Sequence, residues 1–392
     1  MISRDYLVIG AGLAGGRVCE GIRTHDKKGG ITLIGRESYL PYNRPPLSKA
    51  FLKNPKADAA KLACFDSAWY AKNNIELRLD TLITQINLER HLAVLSTGQT
   101  IEFRKACLAT GSRPRRPAVA GANLGNIFYL RTIRDALAIK EMAAQTKEIV
   151  IIGSGLIAVE TAAALREAKL KVTLMNRNQF LWQKRLDAQT AQWLTDYFAA
   201  RDVKLMMQED LNGFEGKTVL KNVQTKSGNR FPAEMVLVAA GAEPNIELVL
   251  NTPLSSPNGT PVNDYLETDE KGIYAAGDIA LFPDKIFGGV RRIDHWESSA
   301  EQGSIAGANM TGKKRIKFEI VPYFTSELFD LKFEFFGDFR IPPGRAEVTG
   351  DYAKKSFAAR YFQGSRITGI VHCNQAPSLA KTAREEIRNG QR

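Results

Sequence analysis

The chain has 392 residues, 44% of them hydrophobic, which indicates a globular protein of about two to three domains. Its longest apolar runs are the size of strands, well short of the roughly 20 residues that a bilayer helix needs, so no transmembrane segment is expected. The 54 lysines and arginines exceed the 42 acidic residues and give a net charge of +12, which favours an acidic partner.

Nucleic acid is the competing explanation of this charge. The basic residues are scattered, however, and the one dense run is KKRIK at 313–317. No recognised nucleic-acid module accompanies that run. We therefore expect neither nucleic acid nor a membrane as a partner.

The N-terminal stretch MISRDYLVIGAG leads into glycines instead of a small-residue cleavage site, so it predicts a first strand in a cytoplasmic protein. The four cysteines, Cys19, Cys64, Cys107 and Cys373, are far apart and form no C-x-x-C or zinc spacing. We expect them to be reduced, mainly buried thiols, and we expect no metal site.

The first predicted strand ends in a glycine-rich turn. Residues 6–20, YLVIGAGLAGGRVCE, place Gly10, Gly12 and Gly15 in G-x-G-x-x-G register, with a helical pattern behind them. In a dinucleotide-binding unit the first glycine allows the turn, the second lets a pyrophosphate approach, and the third lets helix and strand pack closely. The phosphates then meet the helix N-terminus, which favours anions.

The same arrangement returns in mid-chain. Residues 149–160, IVIIGSGLIAVE, place Gly153, Gly155 and Ala158 in this register, with the alanine as a small substitute for glycine. Each copy is followed by a second strand pattern, GITLIGRE or LKVTLMNRN, at the distance of a βαβ unit. One such motif is often a plain turn, whereas two in matching contexts predict that the chain binds two dinucleotides.

Three further segments end a predicted strand in glycine. KACLATGSRP at 105–114 and MVLVAAGAEPN at 235–245 predict crossings between domains, and ETDEKGIYAAGDIA at 267–280 carries Gly277-Asp278. The first domain is therefore expected to be split, with the second inserted into it. The expected domains of this α/β chain are 1–113 with 246–318, then 114–245, and a C-terminal domain at 319–392.

Together these features resemble the FAD- and NAD(P)-dependent ferredoxin reductases of bacterial oxygenase systems. That group includes putidaredoxin and rubredoxin reductases and the reductases of biphenyl-type dioxygenases, and apoptosis-inducing factor is a relative. The similarity covers nearly the whole chain. The segments that carry it are LPYNRPPLSK (40–49), LATGSRP, YLRTIRDA (129–136), YAAGDIA, DHWESSAEQG (294–303) and VPYFTSELFDLKFEFFGD (321–338).

The resemblance implies two Rossmann-like domains of the glutathione-reductase type and a small α+β C-terminal domain, for which we expect a mixed sheet. It implies FAD in the first, split domain and NAD(P) in the inserted one. Arg44, Pro45 and Lys49 would line the flavin. Arg131 and Asp278 would hold its polar portions, and Trp296 would sit against its ring system. Ordinary alternatives are a stiff loop at Pro45, a surface ion pair at Arg131 and a core tryptophan at Trp296.

The predicted site has two sets of residues. The FAD set is Gly10, Gly12, Ala14, Gly15, Arg36, Glu37, Arg44, Pro45, Lys49, Ile83, Ala109, Thr110, Gly111, Arg131, Gly277, Asp278 and Trp296. The NAD(P) set is Gly153, Gly155, Leu156, Ile157, Glu160, Asn176, Arg177, Arg185 and Gly241.

Glu160 lies on the predicted helix of the inserted domain among apolar residues. A carboxylate buried there needs a partner, because an unpaired buried charge costs several kcal/mol. In the resembled family a glutamate at this position meets the lysine of the PLSK motif, which implies a pair between Glu160 and Lys49. Lys49, Glu160 and Trp296 are the implied catalytic residues. Lys49 would stabilise the reduced flavin near N5, and Glu160 would help to position the nicotinamide. The alternative is a glutamate that points into solvent.

Disulfide reductases of related architecture need a redox-active cysteine near the flavin, and LPYNRPPLSKAFL contains none. We therefore expect electrons to leave the flavin singly, to an acidic [2Fe–2S] ferredoxin that serves an oxygenase. One alternative acceptor is small: a quinone, oxygen or a monodehydroascorbate-like radical. Another alternative is a redox-sensing protein like apoptosis-inducing factor. The chain is expected to be a monomer or a homodimer.

The chain departs from the family pattern at both adenosine ends, where a carboxylate usually binds the ribose hydroxyls. The first unit has Arg36 there, so either Glu37 would do this one residue later or a different contact is used. The second unit has Asn176 followed by Arg177, and a guanidinium suits a 2′-phosphate, so NADPH is favoured over NADH. Arg185 would add a phosphate contact, whereas Lys184 is expected at the solvated surface. The alternatives are an Arg177 that faces solvent or a pyridine nucleotide site that has weakened.

Overall fold

The structure is a computed structural model that describes residues 2–340 and 344–390. In this part of the chain the α-helices are α1 (Leu13–His25), α2 (Ala50–Lys53), α3 (Ser67–Lys72), α4 (Ile133–Ala143), α5 (Leu156–Glu167), α6 (Ala188–Ala199), α7 (Trp296–Met310) and α8 (Leu379–Asn389). Short 3-10 helices occupy Pro45–Ser48, Ala59–Leu62 and Glu247–Val249. Among these described helices, none is both long enough and apolar enough to cross a bilayer.

The strands begin with a run that precedes α4 and continue through two further groups. Before α4 they are β1 (Ile2–Ile9), β2 (Ile31–Ile34), β3 (Ile75–Arg78), β4 (Ile83–Asn87), β5 (Leu92–Leu95), β6 (Thr100–Leu108), β7 (Ser112–Pro114) and β8 (Ile127–Phe128). Between α4 and α7 they are β9 (Glu148–Ile152), β10 (Lys171–Asn176), β11 (Val203–Met207), β12 (Leu211–Gly216), β13 (Leu220–Thr225), β14 (Arg230–Pro232), β15 (Val236–Val238), β16 (Ala242–Pro244), β17 (Thr260–Pro261), β18 (Ile273–Ala275), β19 (Ala280–Pro283) and β20 (Val290–Arg291). After α7 they are β21 (Tyr323–Leu328), β22 (Leu331–Gly337), β23 (Arg345–Asp351), β24 (Ser356–Gln363) and β25 (Arg366–Cys373).

The chain forms two compact units, each built from separate stretches of sequence. The first comprises Met1–Asn43, Ala59–Arg113 and Glu243–Tyr323, and the second comprises Arg44–Asp58, Pro114–Ala242 and Phe324–Arg392. Arg44–Asp58 therefore belongs to the second unit by its contacts. The predicted division into FAD, NAD(P) and C-terminal domains is a division by ligand, and it stays a prediction.

The first unit is built on a sheet of order β3-β2-β1-β6-β5-β4, with β18 also paired to β6. Strands β3, β2, β1, β6 and β18 run parallel, because buried apolar runs alternate with helices along the chain. The β18 pairing brings the distant YAAGDIA segment beside the strand that ends in LATG. Helix α1 lies close against α7, since a Cβ on Gly21 would stand 2.2 Å from the Ser304 carbonyl oxygen.

The second unit contains a parallel sheet of order β11-β10-β9-β15-β8 and an antiparallel meander of β12, β13 and β14. A further five-stranded sheet has the order β21-β22-β25-β24-β23. The α/β class with two Rossmann-like sheets and an α+β C-terminal part is confirmed. The expected mixed C-terminal sheet is wrong for β22 to β25, whose pairings are all antiparallel, as short connections require.

Candidate functional site

The first glycine turn joins β1 to α1. Gly10 has φ +119°, and a Cβ there would stand 2.1 Å from the carbonyl oxygen of Ala109, so only glycine fits. Gly12 precedes α1 as its N-cap residue and supplies no side chain, and Ala14 and Gly15 lie in the first turn of the helix. A helix N-terminus without a capping side chain, behind a turn this tight, fits the pyrophosphate of a dinucleotide.

Asp278 follows β18 in the same unit and is buried, with 6% of its surface exposed. Its carboxylate accepts hydrogen bonds from the hydroxyls of Ser112 at 2.6 Å and Ser299 at 3.2 Å. A Cβ on the neighbouring Gly277 would stand 2.9 Å from the Cβ of Ala14 in the first turn. The backbone of the distant YAAGDIA segment therefore lies against the start of α1.

The LATG turn after β6 is held by Asn245. The Thr110 hydroxyl donates to the Asn245 backbone carbonyl at 2.8 Å, and the Asn245 backbone N–H donates to the Gly111 carbonyl at 2.9 Å. Ala109 just before it is buried and approaches Gly10. Ile83 is also buried and belongs to the apolar core of the first unit, so its predicted role beside FAD stays a prediction.

At the adenosine end of the first unit, Arg36 is exposed and Glu37 is half-buried. The Tyr42 hydroxyl donates to the Glu37 carboxylate at 2.6 Å. This contact fixes the carboxylate of Glu37, the residue that is predicted to bind the adenosine ribose in place of Arg36.

Four predicted flavin contacts, Arg44, Pro45, Arg131 and Trp296, lie at or just before the start of a helix. Trp296 is the first residue of α7 and is 40% exposed. Arg44 precedes the 3-10 helix that begins at Pro45, and its guanidinium donates to the Arg131 carbonyl at 2.7 Å. Arg131 directly precedes Thr132, the N-cap residue of α4. Trp296 belongs to the first unit and the other three residues to the second.

The second glycine turn joins β9 to α5. Gly153 has φ +144°, and a Cβ there would stand 2.4 Å from the Ala239 carbonyl oxygen. Gly155 caps α5 without a side chain, and a Cβ built on it meets no atom within 4 Å. Ala158 is fully buried. The turn thus leaves open space at the helix N-terminus, where a second pyrophosphate fits.

Other members of the predicted NAD(P) set are spread around this turn. Leu156 is half-buried and Ile157 exposed in the first turn of α5. The Gly241 carbonyl accepts a hydrogen bond from the Arg115 amide N–H at 2.9 Å. Contact of these residues with a nucleotide stays a prediction.

Asn176 ends β10 and is buried, with 2% of its surface exposed. Its side-chain oxygen accepts the Asn178 N–H at 3.0 Å, and its amide nitrogen donates to the Phe180 carbonyl at 3.4 Å. The amide therefore shapes the loop that follows the strand. Arg177 and Lys184 are exposed on that loop, and Arg185 is half-buried.

Glu160 is buried in α5, with 3% of its side chain exposed, and pairs with the Lys49 ammonium at 2.8 Å. The Ser48 hydroxyl donates to the same carboxylate oxygen, Oε2. The Ser326 hydroxyl of β21 donates to the other oxygen, Oε1, at 2.7 Å. Lys49 also donates to the Pro45 carbonyl at 3.3 Å. Three donors from two distant parts of the sequence thus meet one buried carboxylate, and all lie in the second unit.

The two serines were missed by sequence reasoning, although a signal existed for one of them. Along β21, Phe324, Ser326 and Leu328 are the buried positions of an alternating strand. A serine on the buried face of a strand needs a hydrogen-bond partner, and the partner is Glu160.

The structure describes all four cysteines, and each is a free thiol. Burial raises the pKa of Cys19 and Cys107 well above the usual range. It raises the pKa of Cys64 to about 11 and that of Cys373 to about 12. Because the thiolate is the reactive form, none of the four is poised for thiol–disulfide exchange at neutral pH.

Comparison with known proteins places this geometry in a family. The family model described as pyridine nucleotide-disulphide oxidoreductase matches residues 4–303. The p-cumate 2,3-dioxygenase system ferredoxin–NAD(+) reductase component of Pseudomonas putida is 31% identical over 381 residues, 96% of this chain and 92% of that protein.

Two further comparisons extend the similarity. The peroxisomal monodehydroascorbate reductase 4 of Arabidopsis thaliana is 32% identical over 385 residues, 93% of this chain and 78% of that protein. The crystal structure of the covalent putidaredoxin reductase–putidaredoxin complex contains a chain with TM-score 0.92 and 29% identity, which covers 99% of this chain and 94% of that one.

Proposed function

The chain belongs to the pyridine nucleotide-disulphide oxidoreductase family, and within it we propose that it is a flavoprotein NAD(P)H:ferredoxin oxidoreductase. It takes hydride from NAD(P)H onto FAD and passes the electrons singly to a ferredoxin-type iron–sulfur protein that serves an oxygenase. The observation that carries the proposal is the pair of glycine turns at Gly10 and Gly153, each of which excludes any side chain and opens onto an uncapped helix.

FAD, when bound, accepts a hydride and releases electrons one at a time. Residues of the first turn would hold its pyrophosphate on the N-terminus of α1. The Asp278 carboxylate, fixed by Ser112 and Ser299, would accept hydrogen bonds from hydroxyls of the same cofactor. Glu37, fixed by Tyr42, would accept hydrogen bonds from the adenosine ribose hydroxyls of FAD.

Lys49 and Glu160 would act beside the flavin and the nicotinamide. The Lys49 ammonium, held by Glu160 at 2.8 Å, would present a fixed positive charge to a reduced, anionic ring. The Glu160 carboxylate accepts three donors and has room for one more, such as a nicotinamide amide N–H. Trp296 would cover the ring system as a flat apolar surface.

A ferredoxin is the acceptor that fits best. Members of this family that reduce disulfides need a reactive thiol, and the cysteines here are held protonated by burial. The relative from Pseudomonas putida is named for ferredoxin, and the structural neighbour is a complex with putidaredoxin. With a net charge of +12, the chain would favour an acidic [2Fe–2S] ferredoxin. The cytoplasm as its location, and a monomeric or homodimeric state, are parts of the same proposal.

A small acceptor is the second candidate. The relative from Arabidopsis thaliana is named for monodehydroascorbate and is as similar as the ferredoxin-linked one. The same flavin chemistry can reduce a small radical, so the two candidate functions differ in the electron acceptor.

The proposal favours NADPH over NADH. Asn176 removes the carboxylate that repels a 2′-phosphate, and the exposed Arg177 beside it offers a guanidinium. The name of the Pseudomonas relative contains NAD(+), so this chain would differ from it in nucleotide preference.

The test of the proposed function is cofactor content and its reduction. The purified protein should be yellow, release FAD on denaturation, and bleach with NADPH faster than with NADH. Protein that is colourless and cannot be reconstituted with FAD would contradict the proposal, and so would a thiol adduct of the flavin.

A further inference from the structure

Two ion pairs join the short helix α2 to α5. Lys49, which precedes α2, pairs with Glu160 at 2.8 Å, and Lys53 at the end of α2 pairs with Glu167 at 3.0 Å. The two lysines are about one helical turn apart, so they lie on the same side of α2. The two glutamates are about two turns apart, so they lie on the same side of α5. The Glu160 side chain is 3% exposed and that of Glu167 is 34% exposed. The pairs therefore lead from the interior of the second unit to its surface.

Both pairs line a single cavity of about 30 Å³. The lining residues that matter here are Lys49, Lys53, Glu160, Ala164, Glu167 and Glu327. One water needs roughly 10–15 Å³, so the cavity has room for about two or three waters. Two ammonium groups and three carboxylates supply the donors and acceptors that hold a buried water.

We propose that this cavity is a proton exit, which carries a proton through bound water from the buried Glu160 carboxyl to Glu167 and on to solvent. The inference rests on the proposed function, because that reaction generates the proton. Taking one hydride from NAD(P)H and passing two electrons singly to two acceptor molecules releases one proton per turnover.

The transfer leaves every group as it began. The Glu160 carboxylate is the proton acceptor of the buried pair, since Lys49 is already an ammonium. This carboxylate would take up the proton that oxidation of the bound flavin releases. The resulting Glu160 carboxyl gives a proton to water in the cavity, while that water gives a proton to the Glu167 carboxylate, which releases it to solvent. The charged or polar groups that face Glu160 are Lys49 and Ser48 beside α2, and Ser326 on β21. Lys53, Glu167 and Glu327 share its cavity.

A purely structural role for the outer pair predicts a different result. An exposed ion pair contributes about 0–1 kcal/mol to stability, so loss of Glu167 would change little if the pair only fastened α2 to α5. A proton exit predicts that loss of the same carboxylate slows the release of electrons, with the fold intact.

The first test fills the cavity without a change of charge. Ala164→Val adds two methyl groups to the cavity wall. We expect hydride uptake from NADPH to stay within about twofold of wild type. Reoxidation by ferredoxin should slow about tenfold, a barrier increase of about 1.4 kcal/mol, with a larger solvent isotope effect. A crystal structure of each protein without cofactor supplies a second readout: water in the cavity of the wild type and none in the variant. A cavity without water in the wild type would overturn the proposal.

The second test removes the outer carboxylate. Glu167→Gln should also slow reoxidation about tenfold, at fixed hydride uptake, with a larger solvent isotope effect. The matched control is Glu148→Gln, which breaks the exposed pair with Lys171 in the same unit and should leave both steps unchanged. Rates and isotope effects equal to wild type in Ala164→Val and Glu167→Gln would overturn the proton exit alone. A wild type that NADPH cannot reduce, or that ferredoxin cannot reoxidise, would instead overturn the proposed function.

Discussion

At the scale of single residues, the buried carboxylate of Glu160 shows what the sequence can and cannot reveal. The partner Lys49 follows from the resemblance of the PLSK and IVIIGSGLIAVE motifs to a family. Ser326 does not, because its contact joins positions 166 apart in the sequence and depends on how β21 packs against α5. Only the alternating burial of β21 marks that serine as a residue that needs a partner.

Lys49→Met should destabilise the fold by about 3–5 kcal/mol, because it leaves a buried carboxylate without its counterion. The double variant Lys49→Met with Glu160→Leu should recover most of this loss, since it removes both charges. Urea unfolding followed by circular dichroism measures both. If Lys49→Met alone unfolds like wild type, the pair is not electrostatically important in the folded protein.

Arg177→Ala should reduce kcat/KM for NADPH by about tenfold to a hundredfold and leave that for NADH nearly unchanged, since a hydrogen bond to a charged group contributes about 1.5–3 kcal/mol. Lys184→Ala, on the same loop, is the control and should change neither value strongly. An equal loss with both nucleotides would show that Arg177 does not recognise a 2′-phosphate. Arg177→Ala is a cleaner test than Asn176→Glu, because Asn176 holds its own loop together.

At the scale of elements, the sequence predicts both glycine turns correctly from the spacing of their glycines, because the geometry of each turn depends only on neighbouring residues. The sequence does not predict that Arg44–Asp58 belongs to the second unit. Lys140 of α4 donates to the Asn54 carbonyl at 2.8 Å, and Lys53 pairs with α5. Such contacts between residues far apart in sequence leave no periodic signal, so pattern alone assigned this stretch to the first domain.

The two glycines of the second turn should respond differently to alanine. Gly153→Ala should destabilise the protein by about 2 kcal/mol or more, because φ is +144° and a Cβ would collide with the Ala239 carbonyl oxygen. Gly155 has an ordinary φ of −84°, and a Cβ there meets no atom within 4 Å, so Gly155→Ala should keep its stability while the Kd for NADPH rises. Thermal unfolding and fluorescence titration separate the two effects. Unchanged nucleotide affinity in Gly155→Ala would argue against a pyrophosphate at this turn.

The sheet of the first unit should lose stability in acid through Glu76 on β3. Burial opposes ionisation, but hydrogen bonds from Thr32, Arg4 and Arg78 outweigh it and lower the pKa of Glu76 from 4.5 to about 2. A lowered pKa means that the ionised form stabilises the folded state, so this contribution is complete above pH 4.5 and is lost as the pH falls toward 2.

The free energy of unfolding against pH measures this effect. Glu76→Gln should reduce the slope of the acid limb, whereas Glu102→Gln, at an exposed position of β6, should retain it. Identical acid limbs for wild type and Glu76→Gln would rule out this source of acid sensitivity.

At the scale of the whole molecule, the chain combines two tight glycine turns, four free thiols and a charge of +12. The sequence was sufficient for the α/β class and the family, because strand–glycine–helix patterns repeat at fixed spacing. It was insufficient for the acceptor, because a docking surface depends on side chains brought together from many segments. The acceptor is accordingly the part of the account that most needs measurement.

The most direct test is anaerobic stopped-flow reoxidation of protein that has been reduced with one equivalent of NADPH. We predict that an acidic [2Fe–2S] ferredoxin restores the flavin absorbance rapidly, and that added salt slows this step because it screens a protein of charge +12. Rapid reoxidation by a quinone or by monodehydroascorbate radical, with no acceleration by any acidic ferredoxin tried, would contradict the account.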